Sequence, residues 1–140
     1  MQFELLKTFA REGPLTVAVD GDCMQGTMPC GSVLRLESER KYWPGDVIAF
    51  KRKDGKIVCH RLLGYVPGRN GWCVITRAEN SVQVDKPVLL SSVLGKVTLI
   101  DDEPFHPELK TRARSVLQYF AAVIRWLAAR LENKLRRHDG

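Results

Sequence analysis

Cys23, His60 and two later carboxylates are the residues of this chain whose types could support covalent catalysis. Cys23 lies in the glycine-containing stretch GDCMQG, and His60 lies in the β-branched stretch KIVCHRLLGY. A free thiol has a pKa of about 8.5, and a neighbouring imidazolium lowers that value and raises the thiolate fraction. Histidine can then return the proton to a leaving amine, while Glu79 or Asp85 could hold the imidazole in the right tautomer.

The other three cysteines favour a structural interpretation. Cysteine is among the most buried residue types, so we expect Cys30, Cys59 and Cys73 to be small packing residues. By strand alternation, Cys59 should face the side opposite to His60. The cysteine separations match no common zinc knuckle and the chain has three histidines, so we expect no metal and no cofactor.

Six segments predict β-strands because they are rich in β-branched residues and alternate apolar with polar positions. Turn signals such as Pro44-Gly45, Asp54-Gly55 and Pro67-Gly68 separate them, and FKRKDGKIV predicts a hairpin with Asp54-Gly55 at its tip. One or two helical turns over residues 3–10 should precede the strands. The predicted strands are LTVAV (15–19), VLRLE (33–37), DVIAFK (46–51), KIVCHRLLGY (56–65), WCVIT (72–76) and VLGKVTLI (93–100).

From about Pro107 the apolar period changes to three- and four-residue steps, which predicts one amphipathic helix roughly 40 Å long. Two interpretations of its apolar stripe remain open: packing on the β body or on a second copy, and an in-plane membrane helix with Tyr119 and Trp126 near the headgroups. Arg125 and Gln118 interrupt the continuous apolar stretch and no apolar run reaches about 18 residues, so we expect no transmembrane helix. The stripe consists of Leu109, Ala113, Val116, Leu117, Phe120, Ile124, Leu127, Leu131 and Leu135.

The fold class expected for the 140 residues is therefore mainly β, a small antiparallel β body followed by one long C-terminal amphipathic α-helix. We divide the chain into a short N-terminal segment (1–14), a catalytic β domain (15–101), and a linker with the basic helix (102–140). Residues 106–140 hold eight Lys or Arg against three acids, and so most of the net charge of +6. This asymmetry indicates one basic element suited to an acidic surface, such as a membrane, and we expect no nucleic-acid partner.

Five segments in order resemble the signal peptidase I family and the related self-cleaving domain of SOS repressors. His60-Arg61 is similar to the archaeal and endoplasmic-reticulum branch, which uses His as the general base. The sequence departs from the family pattern at several positions: Cys23 stands at the usual serine, Gly26 at the proline and Ser32 at the aspartate, with Arg77, Ala78 and Glu79 for Lys, Gly and Asp. The segments are GDCMQGTMPCGS (21–32), WPGDVIAF (43–50), IVCHRLLGY (57–65), TRAEN (76–80) and VLGKV (93–97).

The resemblance implies catalytic roles for Cys23, His60, Asp85 and Glu79. Asp85 occupies the second acid position of the His branch and is the preferred partner of His60, because Glu79 is one methylene longer than the family's acid. The backbone N–H of Cys23 would donate to the oxyanion. The resemblance also implies that the substrate binds as an added strand, and we expect four positions near the two catalytic segments to contact it: Gly21, Asp22, Met24 and Arg61.

We therefore predict an endopeptidase that cleaves a peptide or protein precursor, with Cys23 as nucleophile and His60 as general base. The alternative is a catalytically inactive peptide-binding or scaffolding module of the same fold. A DNA-linked repressor is less favoured, because residues 1–14 cannot hold a helix-turn-helix. The stretch MQFELLKTFAREG contains Glu4 and Lys7 and lacks the apolar run of a secretory signal, so we expect a cytoplasmic location, either free or peripheral at the inner face of the membrane.

Overall fold

The computed structural model describes residues 2–18 and 31–139 of the chain. The fold is an antiparallel sheet preceded by a short helix and followed by one long helix, as the sequence predicts. The elements are α1 (Gln2–Glu12), β1 (Leu15–Ala18), β2 (Val33–Glu37), β3 (Val47–Lys51), β4 (Ile57–Gly68), β5 (Gly71–Arg77), β6 (Val88–Leu89), a 3₁₀ turn (Leu90–Ser92), β7 (Val93–Ile100), β8 (Glu103–Pro104) and α2 (Leu109–His138).

All six predicted strands occur, and the bounds of β2 and β7 are those of the prediction. β4 continues three residues beyond the predicted end, and α1 is about a turn longer than expected. β6 and β8 were not predicted, because two residues are too few to show an alternating pattern.

The sheet has the strand order β1-β2-β7-β3-β4-β5-β6, with β8 added beside β7. β4 is the longest strand and pairs with β3 on one side and β5 on the other. Its register places His60 opposite Ile48, and Arg61 opposite both Val47 and Arg77. A register shift between Leu62 and Gly64 interrupts the pairing with β5, a feature that bends and twists a strand.

Strand alternation distributes the apolar residues over two separate cores. One core contains Leu34, Leu36, Val47, Ala49, Leu94 and Val97, and Cys59 packs against it. The other core contains Tyr42, Ile48, Phe50, Leu62, Val74 and Val93. His60 contacts Phe50 of this second core, so Cys59 and His60 face opposite sides of β4, as predicted.

A tight turn at Asp54-Gly55 joins β3 to β4 and confirms the predicted hairpin. The Gly55 N–H donates to the Arg52 carbonyl at 2.9 Å, and Gly55 has φ +87°, a conformation that glycine adopts without strain. The Asp54 side chain accepts a hydrogen bond from the Arg52 side chain and another from the Lys56 N–H. These bonds lower the pKa of Asp54 to about 2. The turn fixes the register that places His60.

α2 packs on β4 through a face that its apolar stripe does not include. Ser115 and Ala122 are buried, Arg112 forms an ion pair with Asp46 at 3.1 Å, and the Tyr119 hydroxyl donates to the Tyr65 carbonyl at 2.7 Å. The helix therefore does pack on the β body, but its stripe does not make the contact. The expectation that Tyr119 lies near lipid headgroups is wrong, because Tyr119 contacts the sheet. Within residues 2–18 and 31–139, neither helix is long and apolar enough to cross a membrane.

Candidate active site

His60 is the fourth residue of β4, pairs with Ile48 of β3, and is buried. The Phe50 ring meets the imidazole edge-on, with 5.5 Å between the ring centroids and an interplanar angle of 85°. This contact restricts the imidazole ring to one orientation. The pairing with Ile48 of β3 therefore positions the backbone of His60, and the Phe50 ring packs against its side chain.

Asp85 is the acidic partner of His60. The Nδ1 atom of His60 lies 2.5 Å from Oδ2 of Asp85, across a sequence separation of 25 residues. An ionised carboxylate can only accept hydrogen bonds, so Nδ1 is the donor and carries a proton. This tautomer leaves Nε2 as the nitrogen that exchanges a proton with a reacting group. The structure therefore brings together His60 and Asp85, the two residues that the sequence analysis paired.

Thr76 positions the carboxylate of Asp85 and was not singled out in the sequence. Its side chain is fully buried at the end of β5, and its hydroxyl donates to Oδ2 of Asp85 at 2.8 Å. The Asp85 N–H donates to the Thr76 carbonyl at 2.9 Å, so Thr76 bonds to both the backbone and the side chain of Asp85. In the sequence, Thr76 ends the apolar run WCVIT and begins the family-like segment TRAEN, but neither pattern assigned it a role. Thr76, Asp85 and His60 form one connected chain of hydrogen bonds.

The His60–Asp85 pair opens onto a groove of about 590 Å³. β3 and β4 form one wall, and the chain from Asp85 to Ser92 forms the other. The lining combines apolar side chains with four cationic ones. The apolar residues are Phe50, Pro87, Val88 and Leu89, and the cationic residues are Lys51, Arg52, Lys53 and Lys86. A groove with an apolar lining and a buried acid–base pair is the common form of a binding or active site.

No protein-family model and no curated protein matches this chain.

Glu79 and Arg61 form a second pair, away from His60. The Arg61 Nε donates to Oε1 of Glu79 at 2.5 Å, and its Nη1 donates to the Gly45 carbonyl at 2.7 Å. Arg61 is one residue after His60 in β4, so its side chain leaves the opposite face of the strand. The structure therefore brings neither Glu79 nor Arg61 to the His60–Asp85 pair. Their bonds connect β4 to the chain just before β3 and to the chain just after β5.

The remaining predicted site residues, Gly21, Asp22, Cys23 and Met24, lie outside the described residues, as does Cys30. Of the described cysteines, Cys59 packs on the opposite core and Cys73 lines the groove. Cys73 pairs with Val66, six residues along β4 from His60, which corresponds to about 20 Å of strand. Cys73 is therefore at the far end of the groove from the imidazole.

Within the described part of the chain, no three His, Cys, Asp or Glu side chains come together in a way that could hold a metal ion. The buried His60–Asp85 pair can position a proton acceptor without one. What the arrangement supplies chemically is a histidine with a fixed tautomer, beside a groove of about 590 Å³ that apolar and cationic side chains line.

Proposed function

We propose that this protein is a signal-peptidase-like endopeptidase that cleaves a peptide or protein precursor in the His60 groove. The observation that carries the proposal is the hydrogen-bonded chain from Thr76 through Asp85 to His60. Asp85 holds Nδ1 of His60, and the buried Thr76 hydroxyl holds Asp85. This arrangement suits a general base, because it fixes the tautomer and stabilises the imidazolium. The sequence pattern around Cys23 supplies the nucleophile of the proposal.

In the proposed reaction, His60 takes the proton of the Cys23 thiol, and the thiolate attacks the scissile carbonyl carbon. The new C–S bond forms while the carbonyl π electrons move to the oxygen, which the backbone N–H of Cys23 would stabilise. Collapse of this intermediate breaks the C–N bond, and the imidazolium gives its proton to the leaving amine. Water then hydrolyses the thioester with His60 again as base. Asp85 stabilises the imidazolium in both halves of the reaction.

The substrate class of the proposal is an extended peptide segment of a larger precursor. Its backbone would lie along the groove, with apolar side chains against Phe50, Val88 and Leu89. The cationic side chains at the groove favour a substrate with acidic residues beside the cleaved bond. We place the enzyme in the cytoplasm or at the inner face of the membrane, where its thiols remain reduced.

The first test compares the reactivity of the four thiols. Iodoacetamide alkylation, followed by peptide mass spectrometry over pH 6–9, should label Cys23 fastest, with the rate retained below pH 8 because an imidazolium lowers the thiol pKa. His60→Ala should slow labelling of Cys23 by at least about tenfold. The matched control is His106→Ala, because His106 is exposed and lies outside the groove. Its labelling rates should equal those of the wild type.

The second test measures cleavage. A peptide library is digested with the wild type, and new termini are identified by mass spectrometry. The cuts should disappear with Cys23→Ala and with His60→Ala and persist with His106→Ala. Slow, equal labelling at all four cysteines together with an uncut library would contradict the peptidase and favour the alternative, a peptide-binding module.

A further inference from the structure

The apolar stripe of α2 is exposed along the whole length of the helix. Leu117 is 70% exposed, Ile124 64% and Leu131 62%. The stripe comprises Leu109, Ala113, Val116, Leu117, Phe120, Ile124, Leu127, Leu131 and Leu135. An exposed apolar face of this length indicates a surface that binds another molecule or a membrane.

The sheet does not cover the stripe, because α2 contacts β4 with a different side. Ser115, Tyr119 and Ala122 follow each other at four- and three-residue steps and form the side that faces β4. At 3.6 residues per turn, this side lies roughly opposite the stripe. After Ile124 the helix continues for four more turns in which every residue is exposed. The last half of α2 therefore offers its apolar face away from the β body.

Basic residues border the stripe on both sides. α2 carries eight Lys or Arg and one acid, Glu132. Arg114, Arg125 and Arg136 are spaced by 11 residues, close to three full turns, so they form one line along the helix. Arg130 and Lys134 lie along the other border, and all five of these cations are exposed. An apolar stripe between two cationic borders is the pattern of a helix that lies in a membrane interface.

We propose that α2 binds flat on a lipid surface rich in anionic headgroups. The apolar stripe enters the acyl boundary, and the two cationic borders meet the headgroups. Electrostatic repulsion disfavours a second copy of the chain as the partner of the stripe. Pairing two stripes would bring together two helices that carry eight cations each. A nucleic acid would meet the cations and leave the stripe in water. The binding is independent of the reaction proposed for the groove.

Vesicle co-sedimentation of the full chain tests the proposal. With phosphatidylcholine and phosphatidylglycerol at about 2:1, the protein should pellet, and with phosphatidylcholine alone it should remain in the supernatant. Replacing Arg114, Arg125 and Arg136 by Gln should weaken binding about fivefold for each charge, and added salt should weaken it further. The double variant Leu127→Gln/Leu131→Gln should reduce binding at least about tenfold.

Trp126→Gln is the matched control, since it removes a large apolar side chain that is not part of the stripe. It should bind vesicles like the wild type. Circular dichroism and thermal unfolding establish that each variant folds; all the substituted side chains are exposed. Equal pelleting with both vesicle types, or wild-type binding by the double Leu variant, would overturn the proposal. So would sedimentation velocity showing a lipid-free dimer that the double Leu variant abolishes.

Discussion

Tyr119 of α2 lies directly over Gly64 of β4, so that any Cβ atom at position 64 would overlap its ring. The same tyrosine donates its hydroxyl hydrogen bond to the carbonyl of Tyr65, the next residue of the strand. A ring over a glycine and a hydrogen bond beside it fix the rotation of the helix about its axis. Docking of α2, and with it the outward direction of the apolar stripe, depends on this contact.

Gly64→Ala should therefore loosen α2 from the sheet. The added methyl group requires the Tyr119 ring to move, and overpacking of this kind costs about 1–3 kcal/mol of the free energy of unfolding. Urea unfolding should show that loss, and limited trypsinolysis should cut the basic α2 faster. Gly13→Ala is the control, because a Cβ atom at position 13 meets nothing within 4 Å. Equal stability and equal trypsin sensitivity of the two variants would contradict the docking contact.

Asp85→Asn should disable the proposed base while leaving the fold in place. An amide at this position no longer stabilises the imidazolium and no longer selects the Nδ1–H tautomer. We expect labelling of Cys23 below pH 8 to slow at least tenfold and peptide cleavage to fall by about 10² or more.

Glu79→Gln is the matched control for Asp85→Asn, because Glu79 pairs with Arg61 on the other face of β4. It should lower stability while the labelling rate of Cys23 stays near that of the wild type. If Glu79→Gln slowed labelling as much as Asp85→Asn, the assignment of Asp85 as the partner of His60 would fail.

Thr76→Val should separate positioning from overall folding. The substitution keeps the shape of the side chain and removes the hydroxyl that donates to Asp85. Hydrogen bonds to charged groups contribute about 1.5–3 kcal/mol, so the free energy of unfolding should fall by an amount in that range. Cleavage should fall as well, with a pH profile displaced from that of the wild type, because the carboxylate loses its second partner.

Thr98→Val provides the comparison for Thr76→Val. The Thr98 hydroxyl donates to the Arg35 carbonyl at 3.4 Å in an exposed position, so its loss should cost less than about 0.5 kcal/mol. Equal destabilisation by the two Thr→Val substitutions, with unchanged cleavage by both, would show that the Thr76 bond has no part in the site.

Local patterns were sufficient to predict the six longer strands and the hairpin, but not the two-residue strands β6 and β8. The alternating pattern predicted both ends of β2 and both ends of β7 correctly. Asp54-Gly55 predicted the turn that sets the register of β4. Such patterns could not predict which face of α2 packs on the sheet. Hydrophobic periodicity points to the stripe as the buried side, whereas the contact with β4 is made by Ser115, Tyr119 and Ala122. A face made of two small residues and one tyrosine over a glycine leaves no periodic hydrophobic signal.

Residue types alone were enough to suggest that His60 pairs with an acidic side chain. An acidic partner orients a catalytic histidine and stabilises its charged form, and Asp85 was one of two candidates for that role. Thr76 was not predictable, because its role follows from a contact between the end of β5 and the chain nine residues later. The separation of Glu79 from His60 follows from the pairing of Arg61 with Glu79, which no spacing rule in the sequence specifies.

Tyr65 should lower the free energy of unfolding at alkaline pH, and replacing Tyr65 should remove this pH dependence. Its hydroxyl donates to the Tyr42 carbonyl and accepts from the Tyr42 N–H, both at 2.7 Å. Burial raises the pKa of Tyr65 above its usual value of about 10, although the bond from the Tyr42 backbone acts in the opposite direction. The folded state thus holds the phenol proton more tightly than the unfolded chain does. The stabilisation is complete below pH 10 and is lost as the pH rises through the raised, folded-state pKa.

Tyr65→Phe should therefore be less stable than the wild type at pH 8 by about 1–3 kcal/mol, because the Tyr42 backbone groups lose their partner. Above about pH 10 the wild type loses the contribution of the neutral phenol, and the phenylalanine variant has none to lose. The difference between the two free energies of unfolding should narrow between pH 8 and pH 11. Urea titrations of both proteins at unit steps of pH measure it directly. A difference that stays constant, or that widens with pH, would contradict the raised pKa of Tyr65.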